Sequence, residues 1–178
     1  MILIVDMNFR GSLGFYEFVL PLCDIVEPVE YEVKHYSEVI DVEKYEKVIL
    51  SGTPLKDFGY LKDMKLFEWI RDCDVPILGI CAGMQVIGLV FDSSLKLCQE
   101  IGMTEIVILK ENHLFSSIFR AYELHTYGII PSDNFEILAV SEKCIQGIKY
   151  KGKKMYGVLF HPEVRNKDIV NQFIFRVL

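Results

Sequence analysis

The sequence predicts a three-layer α/β fold, with a mainly parallel central sheet, helices on both faces and additional, partly antiparallel strands in the C-terminal half. Three observations carry this expectation. Short continuous apolar runs at residues 2–5, 47–50 and 76–80 have the texture of strands buried on both faces. Amphipathic segments alternate with such runs in the order β-α-β-β-α-β-α. After Asp92 the chain changes to short stretches rich in β-branched residues, divided by turn signals.

The first run, residues 2–5 (ILIV), ends at Asp6, as a buried strand delivering a loop does. Gly11 and Ser12 can open a helix through about Leu20, with Phe15, Phe18, Val19 and Leu22 on one face and Pro21 and Cys23 closing it. Residues 24–38 are mixed, and their β-branched positions predict one or two short strands. The clearer strand at 47–50 (KVIL) runs into Ser51-Gly52-Thr53-Pro54. Over 60–73, Leu61, Met64, Phe67, Trp69 and Ile70 give a helix a broad apolar face, opposite Lys62, Asp63 and Arg71. The strand at 76–80 and a helix from Met84 follow. Further strands are expected at 95–98, 104–109, 121–124, 136–140, 145–150 and 155–160. An amphipathic helix closes the chain over 166–178 through Ile169, Val170, Phe173, Ile174 and Val177. No repeat, low-complexity segment or linker interrupts residues 1–178, which predicts a single domain.

Composition excludes several classes of function. A chain of 178 residues that is 51% hydrophobic can bury a sizeable core and is not disordered. A net charge of −6 with no basic block leaves nucleic acid and anionic membrane without a binding surface. The five cysteines, at 23, 73, 81, 98 and 144, show neither a paired framework nor metal-ligand spacing. They predict free thiols in a reducing compartment, no metal, and, with no leader or membrane-length apolar run, a cytoplasmic location.

The chemistry concentrates at residues 75–90, VPILGICAGMQVIGLV. Here an apolar run delivers Cys81 between Gly79 and Gly83, and a helix begins at once. A nucleophile on a sharp strand-to-helix turn needs small residues two places either side, because a Cβ there would collide with the turn. The free N–H groups at the helix start also stabilise a thiolate. A cysteine in an apolar run has a plainer reading as a small buried hydrophobe. A second stretch decides between them: residues 156–160 end in His161, Pro162 and Glu163. His161 can take the thiol proton, and Glu163 can orient the ring and support the imidazolium. Alone, His161 and Glu163 would be a satisfied histidine and a solvated carboxylate; with the cysteine turn they make a Cys-His-Glu set. In such sheets reactive groups lie beyond the carboxyl ends of the strands, which is where residues 51–54, 81–85 and 161–163 fall.

These motifs resemble those of the class I, or triad-type, glutamine amidotransferases over nearly the whole chain. GICAGMQ (79–85) is similar to the family's nucleophile motif and GVLFHPEV (157–164) to its His/Glu motif. LSGTP (50–54) is similar to the oxyanion loop, and LHTYG (124–128) occupies the place of a glutamine-contacting segment. The C-terminal half looks nearest to the stand-alone glutaminase subunit of two-subunit GMP synthases. The resemblance implies hydrolysis of glutamine to glutamate and ammonia through a γ-glutamyl thioester on Cys81, with His161 as acid and base and Glu163 orienting it. It implies an oxyanion hole from the N–H groups of Gly52 and Ala82, and substrate contacts from Gln85 and the backbone at Thr126 and Tyr127. His125 is given no catalytic role. No cofactor is implied. The ammonia would pass to an ATP-dependent synthetase subunit on a separate chain, converting XMP to GMP, and activity would be latent without that partner. Alternatives are the glutaminase of an anthranilate or aminodeoxychorismate synthase, a γ-glutamyl hydrolase, and a silent regulatory module of the same fold. Thr53 stands where the family usually has a second glycine, and would be strained if that residue required a positive φ.

Overall fold

The computed structural model describes residues 1–177. Its elements are β1 (Ile2–Asp6), a π-helical turn (Phe15–Val19) continuing into α1 (Leu20–Val26), β2 (Tyr31–His35), β3 (Lys47–Leu50), a 3₁₀ segment (Gly59–Phe67) continuing into α2 (Trp69–Asp72), β4 (Ile77–Ile80) and α3 (Ala82–Val90). β5 (Ser94–Ile108), β6 (Phe119–Ile130), β7 (Phe135–Val140), β8 (Ile145–Tyr150), β9 (Met155–Val158) and α4 (Asp168–Arg176) follow. One nine-stranded sheet runs β2-β1-β3-β4-β9-β8-β7-β5-β6. Pairings from β2 to β9 are parallel, and those from β9 out to β6 are antiparallel. The expected division of the sheet between the two halves of the chain is therefore present.

Strand alternation builds the three layers. Leu3, Val5, Val48, Leu50 and Ile77 point to one face, against Phe67, Ile70, Met84 and Val86 of the 3₁₀ segment, α2 and α3. Ile2, Ile4, Ile49, Leu78 and Ile80 point to the other, against Leu22 and Val26 of α1 and Ile169, Val170 and Phe173 of α4. Among the described residues, no helix is long and apolar enough to cross a membrane.

Four expectations need correction. Pro21 does not close the first helix; it sits in the first turn of α1, where no backbone N–H is needed, and the helix runs on through Cys23 to Val26. The helix expected over 60–73 is mostly 3₁₀ and kinks at Asp63 (φ −111°, ψ 26°), whose carboxylate accepts a 3.0 Å hydrogen bond from the Tyr36 hydroxyl. The runs at 95–98 and 104–109 belong to one long strand, β5, whose register against β6 slips between Leu97 and Glu100. Last, the cysteines are not all free: Cys98 and Cys144, 46 residues apart, are joined by a disulfide, while Cys23, Cys73 and Cys81 are free and buried. That pairing is made by the fold of β5 over the β7–β8 turn, which spacing along the chain does not reveal. The closing helix matches over Asp168–Arg176, and Leu178, which the expected helix included, lies outside the described residues.

Candidate active site

Cys81 sits between β4 and α3 with φ 49° and ψ −100°, a backbone conformation that residues with a Cβ rarely adopt. Its N–H donates to the Val158 carbonyl of β9 (2.8 Å), and its carbonyl accepts from the Gln85 N–H (3.0 Å). The flanking glycines allow this turn. A Cβ on Gly79 would lie 2.5 Å from the Gly83 backbone, and one on Gly83 would lie 2.5 Å from the Leu50 carbonyl oxygen. Both obstacles are main chain and cannot swing aside. Gly83→Ala is expected to cost about 1–3 kcal/mol of stability through forced backbone shifts, read as a lower urea midpoint.

β9 and the two residues after it bring His161 to the same place. Its Nδ1 is 2.7 Å from Glu163 Oε1, and its peptide N–H donates to the Tyr122 carbonyl at 2.9 Å. The ring is fully buried beside the Cys81 side chain; its Nε2 makes no hydrogen bond, and the Cys81 thiol donates to the Leu124 carbonyl at 3.9 Å. Burial alone would lower the affinity of this imidazole for a proton. The Glu163 carboxylate and the Cys81 sulfur outweigh it and hold the pKa of His161 well above the ordinary histidine value. Phe18, from the π-helical turn, packs on the ring with centroids 4.9 Å apart. No sequence pattern signals that contact, because Phe18 reads as one more apolar helix position.

The loop after β3 completes the arrangement. A Cβ on Gly52 would fall 2.5 Å from His161 Cε1 and 2.9 Å from Nδ1, so the Gly52 backbone lies directly against the imidazole. Ala82 is the first residue of α3, where N–H groups have no intrahelical acceptor. Thr53 is not strained. The described non-glycine residues with positive φ are Cys81, Asp92 and Asn166, and the Thr53 hydroxyl donates to the Asp57 carbonyl at 3.1 Å. The condition under which a β-branched residue would be strained here, a positive φ, is therefore not met.

Above Cys81 is a crevice bordered by Leu55, Phe58, Tyr60, Gln85, Leu124 and Thr126, among others, with room for about one water molecule. Its walls are tied together. Thr126 Oγ1 donates to the Leu55 carbonyl (3.1 Å), Gln85 Nε2 donates to the Tyr127 carbonyl (2.8 Å), and the Tyr60 hydroxyl donates to Gln85 Oε1. Gln85 and Thr126 thus border the crevice, whereas Tyr127 does not and meets Gln85 through its carbonyl. The Gln85 amide, however, is engaged by the protein at both ends and positions the Tyr127 backbone. A roomier cleft lies away from Cys81, between β5 and the β7–β8 turn.

Behind the crevice is a buried polar group that sequence reading missed. His125 Nε2 is 3.0 Å from Glu123 Oε2 and 3.5 Å from Glu100 Oε2, as ion pairs without aligned hydrogen bonds. Ser141 Oγ (3.0 Å) and Gln146 Nε2 (2.7 Å) donate to Glu100. Burial opposes protonation of His125, but the two carboxylates prevail and push its pKa up to about 9. Glu123 is raised because burial outweighs its imidazole partner, while Glu100 is lowered by His125, Ser141 and Gln146 against its own burial. The signal available was Glu-x-His on one face of β6, with Glu100 opposite His125 across the ladder. A histidine raised from 6.5 to about 9 contributes stability that is complete below about pH 6.5 and lost as pH rises through 9. Over that interval the melting temperature of His125→Gln is expected to fall less steeply than that of the wild type, leaving the slope due to His161.

The family model described as "Glutamine amidotransferase class-I" matches residues 23–178. A glutamine-hydrolysing GMP synthase subunit from Methanosphaera stadtmanae is 39% identical over 127 residues, 67% of this chain and 66% of that protein. The corresponding subunit from Methanocaldococcus jannaschii is 32% identical over 145 residues, 77% of this chain and 74% of that one. The GMP synthase of Spiroplasma kunkelii is 34% identical, and the match spans 79% of this chain but only 29% of that protein. The first and the last of these are thus matched over less than two thirds of their length. Among solved structures, a Thermoplasma acidophilum protein assigned as a GMP synthase subunit superposes with a TM-score of 0.83, at 27% identity, over 98% of this chain and 92% of that one.

Proposed function

The chain belongs to the class-I glutamine amidotransferase family, and on that footing we propose that it is the glutamine-hydrolysing subunit of a two-subunit GMP synthase. One observation carries the reading. Cys81, on its strained turn, lies beside a buried imidazole whose far nitrogen is held by Glu163.

Cys81 Sγ attacks the amide carbon of glutamine, its thiol proton taken or already held by His161 Nε2. The negative charge on the amide oxygen is received by the N–H groups of Gly52 and Ala82. The tetrahedral species collapses as His161 returns the proton to nitrogen, the C–N bond breaks, and ammonia leaves a γ-glutamyl thioester. Water then gives a proton to His161 and attacks the thioester, releasing glutamate and the thiol. Glu163 keeps Nδ1–H in place and balances the imidazolium in each cycle. Neither cofactor nor metal is needed for these steps.

With room for about one water, the crevice cannot admit glutamine until Leu55, Phe58 and Thr126 move apart. This supports latency, with an ATP-dependent subunit on a separate chain opening the site as it commits to aminating XMP. The names of the relatives favour that subunit over a chorismate-using one and over a γ-glutamyl hydrolase. Glutamate release from glutamine should be low for the purified chain alone and rise when the XMP-aminating subunit, ATP and XMP are present. No glutamate with any synthetase subunit, from protein shown to be folded, would leave the silent module as the correct reading.

A further inference from the structure

We propose that Cys98 and Cys144 form a reversible thiol–disulfide exchange site that governs how firmly the β6 wall of the crevice is held. Its effect on glutamine rests on the function proposed above; the exchange chemistry does not. Cys98 lies in the β5 irregularity between Leu97 and Glu100, and Cys144 lies in the turn before β8. β5 and β8 are not neighbours in the sheet, because β7 runs between them. The disulfide is therefore a tether across three strands.

Cys98 packs on β6 just beyond the crevice, and Cys144 lies within 4.8 Å of Glu100 and of His125, the member of the polar group that borders the crevice. A Cβ on Gly128 would come within 3.3 Å of Cys98 Cβ, so Cys98 lies against the β6 backbone one residue beyond Tyr127, whose carbonyl holds Gln85. Two residues after Cys98, Glu100 pairs with His125 and accepts from Ser141 and Gln146. The Cys144 N–H donates to that same Ser141 hydroxyl at 3.0 Å. With the bond closed, the β5 irregularity and the β7–β8 turn are fixed together and Glu100 is held between them. With the bond open, they are linked through hydrogen bonds of the polar group and through the contacts of Cys98 Sγ with the Lys143 carbonyl (3.2 Å) and of Cys144 Sγ with the Cys98 carbonyl (3.3 Å).

Neither half-cystine lines an open cleft: Cys144 is 3% exposed and Cys98 9%, so exchange has to enter from the Cys98 side. A cleft of about 640 Å³ is lined by Gln99 and Glu100 on one side and by Ser141, Glu142 and Lys143 on the other, the residues that flank the two cysteines. A small dithiol entering there attacks Cys98 Sγ as its thiolate. The protein S–S bond breaks, Cys144 leaves as thiolate and takes a proton, and a mixed disulfide forms. The second thiol of the reagent then displaces Cys98, so the protein gains two electrons and two protons while the reagent becomes a disulfide. Oxidised glutathione reverses this, releasing two molecules of glutathione.

The test uses the full chain, equilibrated with oxidised glutathione or with dithiothreitol and then alkylated under denaturing conditions. Three of the five cysteines should take the label in the first case and all five in the second. In the reduced chain, amide hydrogen exchange at residues 124–128 should quicken. Together with the synthetase subunit, KM for glutamine should rise about fivefold or more, with kcat changing less. Cys98→Ser combined with Cys144→Ser should behave as the reduced chain and ignore dithiothreitol; if that variant fails to fold, the reduced wild type still decides. Five free thiols after oxidised glutathione would overturn the proposal, as would equal exchange and equal KM in both states. So would stoichiometric zinc retained by the reduced chain, because ligand atoms of Glu100, His125 and Cys144 lie within 4.8 Å of one another and a metal is the competing use of the thiol. If neither state releases glutamate, the function fails, while the thiol count and hydrogen exchange still judge the exchange site.

Discussion

Replacing Cys81 by alanine is expected to lower glutamine hydrolysis by at least about 10⁴-fold, because no other group can form the thioester and the members of such a unit act together. The fold should survive, since the turn is set by the strand and helix around it and alanine keeps the Cβ. A companion variant separates chemistry from strain. Glycine is ordinarily less stable than alanine in regular structure by about 0.5–1 kcal/mol. At φ 49° a residue with a Cβ bears a penalty that glycine escapes, of order 1–3 kcal/mol. Cys81→Gly should therefore be the more stable of the two by about 1 kcal/mol, and equally inactive. Urea titration of both variants measures this. Near wild-type glutamate release from Cys81→Ala would remove the nucleophile from the mechanism. Alanine being more stable than glycine would show that the turn relaxes in solution.

Gly52→Ala should be the second most damaging change. The new Cβ would sit 2.5 Å from His161 Cε1, and the buried ring, packed on Phe18 and held by Glu163, has nowhere to go. The loop must retreat instead, carrying with it the N–H proposed to receive the oxyanion. Losing one such donor costs about 10²–10³ in turnover. The change lies in a loop, so melting temperature should move little, and a kinetic loss without unfolding is the signature to seek. Activity near the wild-type value would mean that the oxyanion is held elsewhere.

The parallel half of the sheet was legible because its strands are apolar on both faces, a pattern that survives ignorance of the tertiary structure. The turn that carries Cys81 was legible because Gly79, Cys81 and Gly83 stand at a spacing that a tight turn requires. The Glu100–His125–Glu123 group was not, since its members lie on two different strands and each alone reads as an exposed polar residue of a half-wet strand. The same applies to the disulfide, whose partners meet only when β5 folds over the β7–β8 turn. Pro21 misled for a local reason: proline stops a helix from inside but is welcome in its first turn, and the true start of α1 is displaced by the π-helical turn before it. The closed state of the crevice depends on a hydrogen bond between Thr126 and Leu55, 71 residues apart, which no sequence pattern announces.

The two glycines around Cys81 form a stack of three main chains, with β4 on α3 through Gly79 and α3 on β3 through Gly83. A Cβ at either position has to displace the same helix. The first substitution that moves α3 outward makes part of the room that the second would need, so the double alanine variant should cost less than the sum of the single ones. Natural drift at one glycine would then lower the barrier to losing the other, and descendants that have abandoned catalysis should tend to lose both.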